Sequence, residues 1–314
     1  MTASTSQAAL APGAPADGQS DGGPVGGALL MLCGIASFQM GASIAKDLFP
    51  LFGPLGMVGL RLWIAAIVLC ALARPWRMVP DRATLWLIVQ YGTVVCLMNM
   101  TFYLSLARLP LGIAVAIEFL GPLALALLGS RRPVDLLLVA LAAAGLDLLL
   151  QPGAVLRGRG LDPLGVGFGL LAAASWAAYI VIGARVSRRI DATRATAIGL
   201  GVGALLLTPL AAATLPRIAS HPHAGLLAGL VAILSSAVPY TLEMLAMKRL
   251  HPRQYGILSS LDPAMAVVIG LVLLGEHPDP SQWTGILCIV LSSIIGIVIR
   301  QSGGQAAPPP APDL

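Results

Sequence analysis

The chain has 314 residues, of which 57% are hydrophobic and only 11% charged, with a mean hydropathy of +0.86. That composition excludes a soluble globular protein and predicts an all-α polytopic membrane protein, with the lipid bilayer as its solvent. The net charge of +5 is scattered over short loops between apolar runs, so it signals topology and no nucleic-acid partner.

Residues 1–25 are rich in Ala, Ser, Gly, Pro, Gln and Asp, which predicts a disordered tail. No Lys or Arg precedes Lys46, which argues against a cleaved signal peptide. Ten spans follow, at 26–45, 54–73, 84–104, 111–129, 134–151, 163–184, 195–214, 224–246, 254–274 and 282–299, with prolines at most junctions. Residues 300–314, ending APPPAPDL, are a second disordered tail. With a cytoplasmic amino terminus, thirteen of the nineteen Lys and Arg residues fall in inner loops, five fall in outer loops, and Arg61 lies within the second span. The positive-inside rule therefore places both termini in the cytoplasm.

Glu118 stands out in the fourth span, since the next charges in sequence are Arg108 and Arg131. Those arginines bracket roughly the thickness of a bilayer core, which puts Glu118 near its middle. A carboxylate at that depth serves either proton coupling or hydrogen-bonded packing. In the eighth span Ser236, Tyr240, Glu243 and Met247 share one helical face, as do Cys96, Asn99 and Tyr103 in the third. Tyr255, Ser259 and Asp262 align in the ninth, Ser175 and Tyr179 lie one turn apart beside Trp176 in the sixth, and Gln39 precedes Ser43 by a turn in the first. Glu243 is the rival proton carrier, or an anchor near the cytoplasmic end. Asp262, just before Pro263, reads as a cap at a helix break, and Arg61 as a snorkelling or structural residue. Glu276 reads as an ordinary loop charge. Gly165/Gly169 and Gly199/Gly203 read as small-residue pairs that pack the sixth and seventh spans together.

The four cysteines lie singly in apolar runs, and His221 with His223 lacks further ligands, so no disulfide framework, metal site or cofactor is expected. The sequence lacks HExxH, GxSxG and GxxxxGK[ST] patterns, which argues against a membrane enzyme and an ATPase.

A shift of 141 residues lays Arg108-Leu109 on Arg249-Leu250, Pro122 on Pro263, Asn99 on Tyr240 and Glu118 on Ser259, while a shift of 138 lays Ala36-Ser37-Phe38 on Ala174-Ser175-Trp176. The register predicts two five-helix repeats, 26–151 and 163–299, joined by a linker at 152–162. An odd number of spans inverts the second repeat relative to the first.

The runs LPLGIAVAIEFLGPL (109–123), SSAVPYTLEMLAMKRL (235–250) and GILSSLDPAMAVVIGLVLLGE (256–276) resemble those of the EamA-like transporters of the drug/metabolite transporter superfamily, and within it the threonine and homoserine exporters. The resemblance implies an inner-membrane carrier of ten helices that exports small neutral amino acids by proton antiport. Many relatives carry Glu where this chain has Asp262. For such a substrate, Glu118 or Glu243 meets the ammonium and carries the proton. Gln39, Asn99, Tyr103, Trp176, Tyr179, Tyr240 and Ser259 are the candidate binding residues. Backbone N–H groups near Gly121-Pro122 or Pro239 are the candidates for the substrate carboxylate, with Arg61 the nearest arginine, favoured instead for the snorkelling or structural role. A broader metabolite or drug exporter, with a cavity lined by Met40, Phe102, Tyr103 and Trp176, and a uniporter remain alternatives. Oligomeric state is left open.

Overall fold

Proline opens most of the helices, because its fixed φ suits a first turn whose N–H groups lack intrahelical partners anyway. The computed structural model describes residues 24–78, 80–128, 133–150, 160–186, 188–247, 249–250 and 252–302. Most of both expected tails and of the expected linker lies outside the described residues, as does the side chain of Tyr240, while residues 24–25 and 300–302, expected in the tails, are helical. Apart from short helical turns at Phe49–Phe52 and Pro75–Arg77 and the π turn described below, the helices are α1 (Pro24–Asp47), α2 (Pro54–Ala73), α3 (Arg82–Leu106), α4 (Leu111–Glu118), α5 (Leu120–Leu128), α6 (Pro133–Leu150), α7 (Pro163–Val186), α8 (Ala192–Leu206), α9 (Thr208–Ala212), α10 (Leu215–Ser220), α11 (Pro222–Ala232), α12 (Val238–Met247), α13 (Pro252–Ser259), α14 (Asp262–Leu274) and α15 (Pro280–Ser302). There is no strand among the described residues.

Seven helical stretches are long and apolar enough to cross a bilayer, and α8 with α9–α10, bent by 64°, makes an eighth if the pair is one span. Leu111–Leu125 and Leu136–Leu149 are apolar but shorter. Large aliphatic side chains stand exposed on the outer helices, among them Leu29, Ile67, Leu137, Leu205, Leu226 and Leu287, as a lipid-facing surface requires.

Four breaks in these helices have one cause. A proline cannot donate to the carbonyl four residues earlier, and its ring crowds that carbonyl. Pro122 thus weakens the helix at Glu118, Pro209 at Leu205, Pro239 at Ser235 and Pro263 at Ser259. The chain breaks between α4 and α5, bends between α8 and α9, widens into a π turn over Ile233–Ala237, and breaks between α13 and α14. The fourth and ninth apolar runs, read from sequence as continuous, are each interrupted midway.

The main helix pairings are α3 with α7 and α8, α6 with α15, α2 with α8 and α11, α1 with α12 and α14, α4 with α14, and α7 with α4 and α5. Glycines set the closest approaches. A Cβ on Gly145 would fall 2.7 Å from the Gly285 carbonyl oxygen, so α6 and α15 cross backbone to backbone. Gly165 faces Leu109 and Gly169 faces Ile117, while Gly199 faces Tyr91 and Gly203 faces Cys96. These two pairs therefore pack α7 and α8 against α3 and α4, not against each other as expected from sequence.

One end of the bundle is tied by charge. Lys46, at the end of α1, donates to Glu276 Oε1 at 2.6 Å and to the Leu109 carbonyl at 2.7 Å. Glu276 Oε2 accepts the Leu111 N–H at 2.7 Å. Gly275, at φ 63°, ends α14 in the left-handed conformation and turns the chain so that Glu276 reaches back. Glu276 is thus a junction of three elements, not a solvated loop charge. At the same end Arg108 pairs with Asp162 at 2.7 Å, and this hydrogen bond holds the Asp162 carboxyl below the usual carboxylate range.

Candidate functional site

Three helices bring a polar residue to one depth. Gln39 lies seven residues before Lys46, Arg61 seven after Pro54, and Glu118 seven after Leu111, so each sits about 10 Å from the Lys46 end. Asp262 joins them at the start of α14. The Gln39 side chain is fully buried, and its Nε2 donates to Asp262 Oδ1 at 2.7 Å. Turning the amide over would set oxygen against the carboxylate, so this orientation follows from the pairing. Gln39 Oε1 is buried with no hydrogen-bond partner among the described residues. Asp262 is therefore no cap: no side-chain bond caps α14, and its carboxylate takes an amide from α1 instead.

Glu118 is buried, and Asp262 and Arg61 are the charged groups within its electrostatic reach. The stretch leading to it, from Leu111 to Ile117, is closed off on all sides, with Ile113, Ala114, Val115, Ala116 and Ile117 at most 1% exposed. In contrast, Glu243, Tyr255, Ser259 and Asp262 are all half-buried. Glu243 on α12 accepts a hydrogen bond from the Tyr255 hydroxyl on α13, and it lies within electrostatic reach of Asp262. Carboxylates thus descend from Glu118 through Asp262 to Glu243, toward the end opposite Lys46.

Arg61 departs from the snorkelling half of the sequence reading. It neither snorkels nor sits at an interface; it is 4% exposed. Its Nε donates to Ser236 Oγ at 3.3 Å, Nη1 to the Tyr103 hydroxyl at 3.3 Å, and Nη2 to the Ser235 carbonyl at 3.2 Å. The guanidinium carbon lies 5.2 Å from the Phe38 ring centroid and 5.5 Å from that of Tyr103. The Ser235 carbonyl is available because Pro239 has no N–H to offer it. The Val238 N–H bonds the Ile233 carbonyl, which leaves the Leu234 carbonyl to the Ser37 hydroxyl at 2.7 Å. The break near Pro239 therefore supplies acceptors, not the N–H donors expected from sequence. At Gly121 a Cβ would lie 2.0 Å from the Ala173 carbonyl oxygen, so α7 closes against the break on that side.

The remaining candidates divide. Tyr103 is fully buried and belongs to the Arg61 cluster. Asn99, one turn away, donates to the Val95 carbonyl at 2.8 Å, and Ser259 donates to the Tyr255 carbonyl at 2.9 Å, each within its own helix. Trp176 meets Phe119, the residue after Glu118, edge-on at 6.0 Å. Tyr179 instead stacks on Tyr91 at 5.2 Å. Tyr91 is twelve residues from Tyr103, or about 18 Å along α3, so Tyr179 stands apart from the cluster. Sequence reasoning singled out Arg61 but set it near the outer leaflet, and it missed the Lys46–Glu276 tie, because nothing local pairs Lys46 with a residue 230 positions away.

A concavity of about 320 Å³ lined by Phe52, Pro54, Leu104, Thr214 and Arg217 opens at the Lys46 end, away from the carboxylates. Among the described residues no group of His, Cys, Asp and Glu is placed to hold a metal ion.

Comparisons with known proteins identify the family. The EamA-like transporter family matches residues 163–298. The threonine/homoserine exporter RhtA of Escherichia coli K12 is 41% identical over 266 residues, covering 85% of this chain and 89% of that protein. The threonine/homoserine exporter RhtA of Salmonella typhimurium LT2 is likewise 41% identical, over 85% of this chain and 88% of its own length. One crystal structure, 19% identical, has the same fold with a TM-score of 0.53 over 89% of this chain and 99% of that one. The chain belongs to the EamA-like transporter family, on its threonine/homoserine exporter branch, and is a multi-pass membrane transporter, not an enzyme.

Proposed function

We propose that this protein exports small neutral amino acids, such as threonine or homoserine, across a bacterial inner membrane by proton antiport with alternating access. The observation that carries the reading is the set of buried Glu118, Gln39 and Arg61 with half-buried Asp262, contributed by α1, α2 and two broken helices. A buried carboxylate with an arginine in electrostatic reach can exchange a proton for an ammonium without leaving an uncompensated charge. The relatives' identity supports the substrate class. Protein, proton and substrate are the only participants this scheme needs.

The scheme has ten spans in two inverted five-helix repeats, with both termini cytoplasmic and the Lys46 end outside. Counting the bent pair and the two shorter apolar helices with the seven long stretches gives that number. Helix pairing supports the repeat, because exchanging each span with the one five later leaves the main contacts unchanged: α1 with α12 becomes α7 with α3. So do the glycines, since Gly165 against Arg108 and Leu109 recurs as Gly27 against Arg249 and Leu250.

Reconstituted in liposomes, the wild type should show threonine counterflow and uptake driven by an imposed pH difference. Glu118→Gln should keep counterflow and lose the response to pH. A carrier indifferent to pH would refute the antiport, and one that moves neither threonine nor homoserine would refute the substrate class.

A further inference from the structure

Arg61 is a buried cation that forms no ion pair among the described residues. Guanidinium carries five N–H donors, and the three bonds it makes here are long contacts to neutral oxygens. Burying a charge this way is costly unless an anion completes the site. Nearby, on the adjoining α1, the Gln39 amide oxygen is buried and has no donor among the described residues. An unpaired cation and an unpartnered acceptor thus occur at one depth with Glu118 and Asp262 within reach.

Building on the amino-acid export reading above, we propose that Arg61 is the specificity residue that holds the substrate's α-carboxylate, while Gln39 Oε1 with Glu118 and Asp262 takes the ammonium. The planar fork of guanidinium suits a carboxylate bidentately. Ser236, Tyr103 and the Pro239-freed Ser235 carbonyl hold that fork from behind, and the rings of Phe38 and Tyr103 flank it. The substrate is then any small molecule with a free carboxylate and a free ammonium on one carbon. The side chain is left to the aromatic and small residues around Phe119 and Trp176.

The test is competition against labelled threonine in liposome counterflow, using homoserine, threoninol, which lacks the carboxylate, and N-acetylthreonine, which lacks the ammonium. For wild type, homoserine should compete well, while threoninol and N-acetylthreonine should need roughly 10- to 100-fold higher concentration, the ratio expected for loss of one charged hydrogen-bonded contact. Arg61→Lys keeps the charge without the fork and should raise half-saturation about tenfold. Arg61→Gln should abolish the preference for threonine over threoninol, which a merely structural role would not do. If wild-type counterflow treats threonine and threoninol alike, or Arg61→Lys leaves half-saturation unchanged, this assignment is wrong while the export reading stands. If wild type moves no threonine, both fall. The wild-type competition is decisive even if Arg61→Gln does not fold.

Discussion

Two basic side chains within apolar surroundings are handled in opposite ways. Lys46 has a carboxylate at 2.6 Å and a carbonyl at 2.7 Å, whereas Arg61 has hydroxyls and one carbonyl only. Lys46 is therefore a closed account within the protein and Arg61 an open one. Because the Lys46–Glu276 pair is mostly buried, removing one partner strands the other. Lys46→Met and Glu276→Gln should each lower stability in detergent by about 1–3 kcal/mol, and the double variant by clearly less than their sum, as measured by chemical unfolding. Additive losses would show that the two do not interact. Arg108–Asp162 contributes at the same end but is solvent-exposed, so salt should weaken it. The Asp162 carboxyl is held low by its Arg108 hydrogen bond. A depressed folded value means the contact stabilises the protein above the ordinary carboxylate range and is lost as pH falls through that depressed value. Asp162→Asn should therefore remove part of the acid sensitivity of this end, read by hydrogen exchange of the α7 amides.

At the level of helices, proline placement decides where backbone polarity is released in the bilayer, and the breaks at Pro122, Pro239 and Pro263 border the acidic cluster. Pro263→Ala gives the Ser259 carbonyl back its N–H partner, so α13 and α14 can fuse into one helix. The variant should unfold at higher temperature and transport more slowly, since the break that lets the halves move would be gone. Faster transport would count against a hinge there. Gly121→Ala should do the reverse, because its Cβ would drive into the Ala173 carbonyl; a loss of roughly 2–3 kcal/mol is expected, against little change for Gly167→Ala, which meets nothing within 4 Å. The same local chemistry explains what was legible in the sequence. Apolar run length and proline punctuation gave the helices closely, because both act over a few residues. Glu118 was legible as a lone charge. The Gln39–Asp262 and Lys46–Glu276 contacts join residues 223 and 230 apart, and no local pattern encodes such pairing. The glycine pairs on α7 and α8 were recognised as packing surfaces, but a small-residue face does not say which helix will fill it.

For the molecule as a whole, asymmetry between the two ends matters more than any single contact. The Lys46 end is knotted by Lys46, Glu276, Leu109 and Leu111, while Glu118 is buried and Asp262 and Glu243, toward the opposite end, are half-buried. Under the proposed orientation this conformation is sealed outside and leads inward, the state in which an exporter loads its substrate. Alternating access then requires the Lys46–Glu276 tie to part, because α1, the α3–α4 connection and the end of α14 cannot separate while it holds. Replacing Lys46 and Glu276 by cysteines, in a background lacking Cys33, Cys70, Cys96 and Cys288, allows this to be tested with a short cleavable bis-thiosulfonate linker. Cross-linking should abolish threonine counterflow, yet leave threonine able to stabilise the protein against heat in detergent, since the site still opens to the other side. Reducing the linker should restore counterflow. If the cross-linked carrier turns over normally, the outer end is not where the gate lies, and the path to the outside must run between other helices.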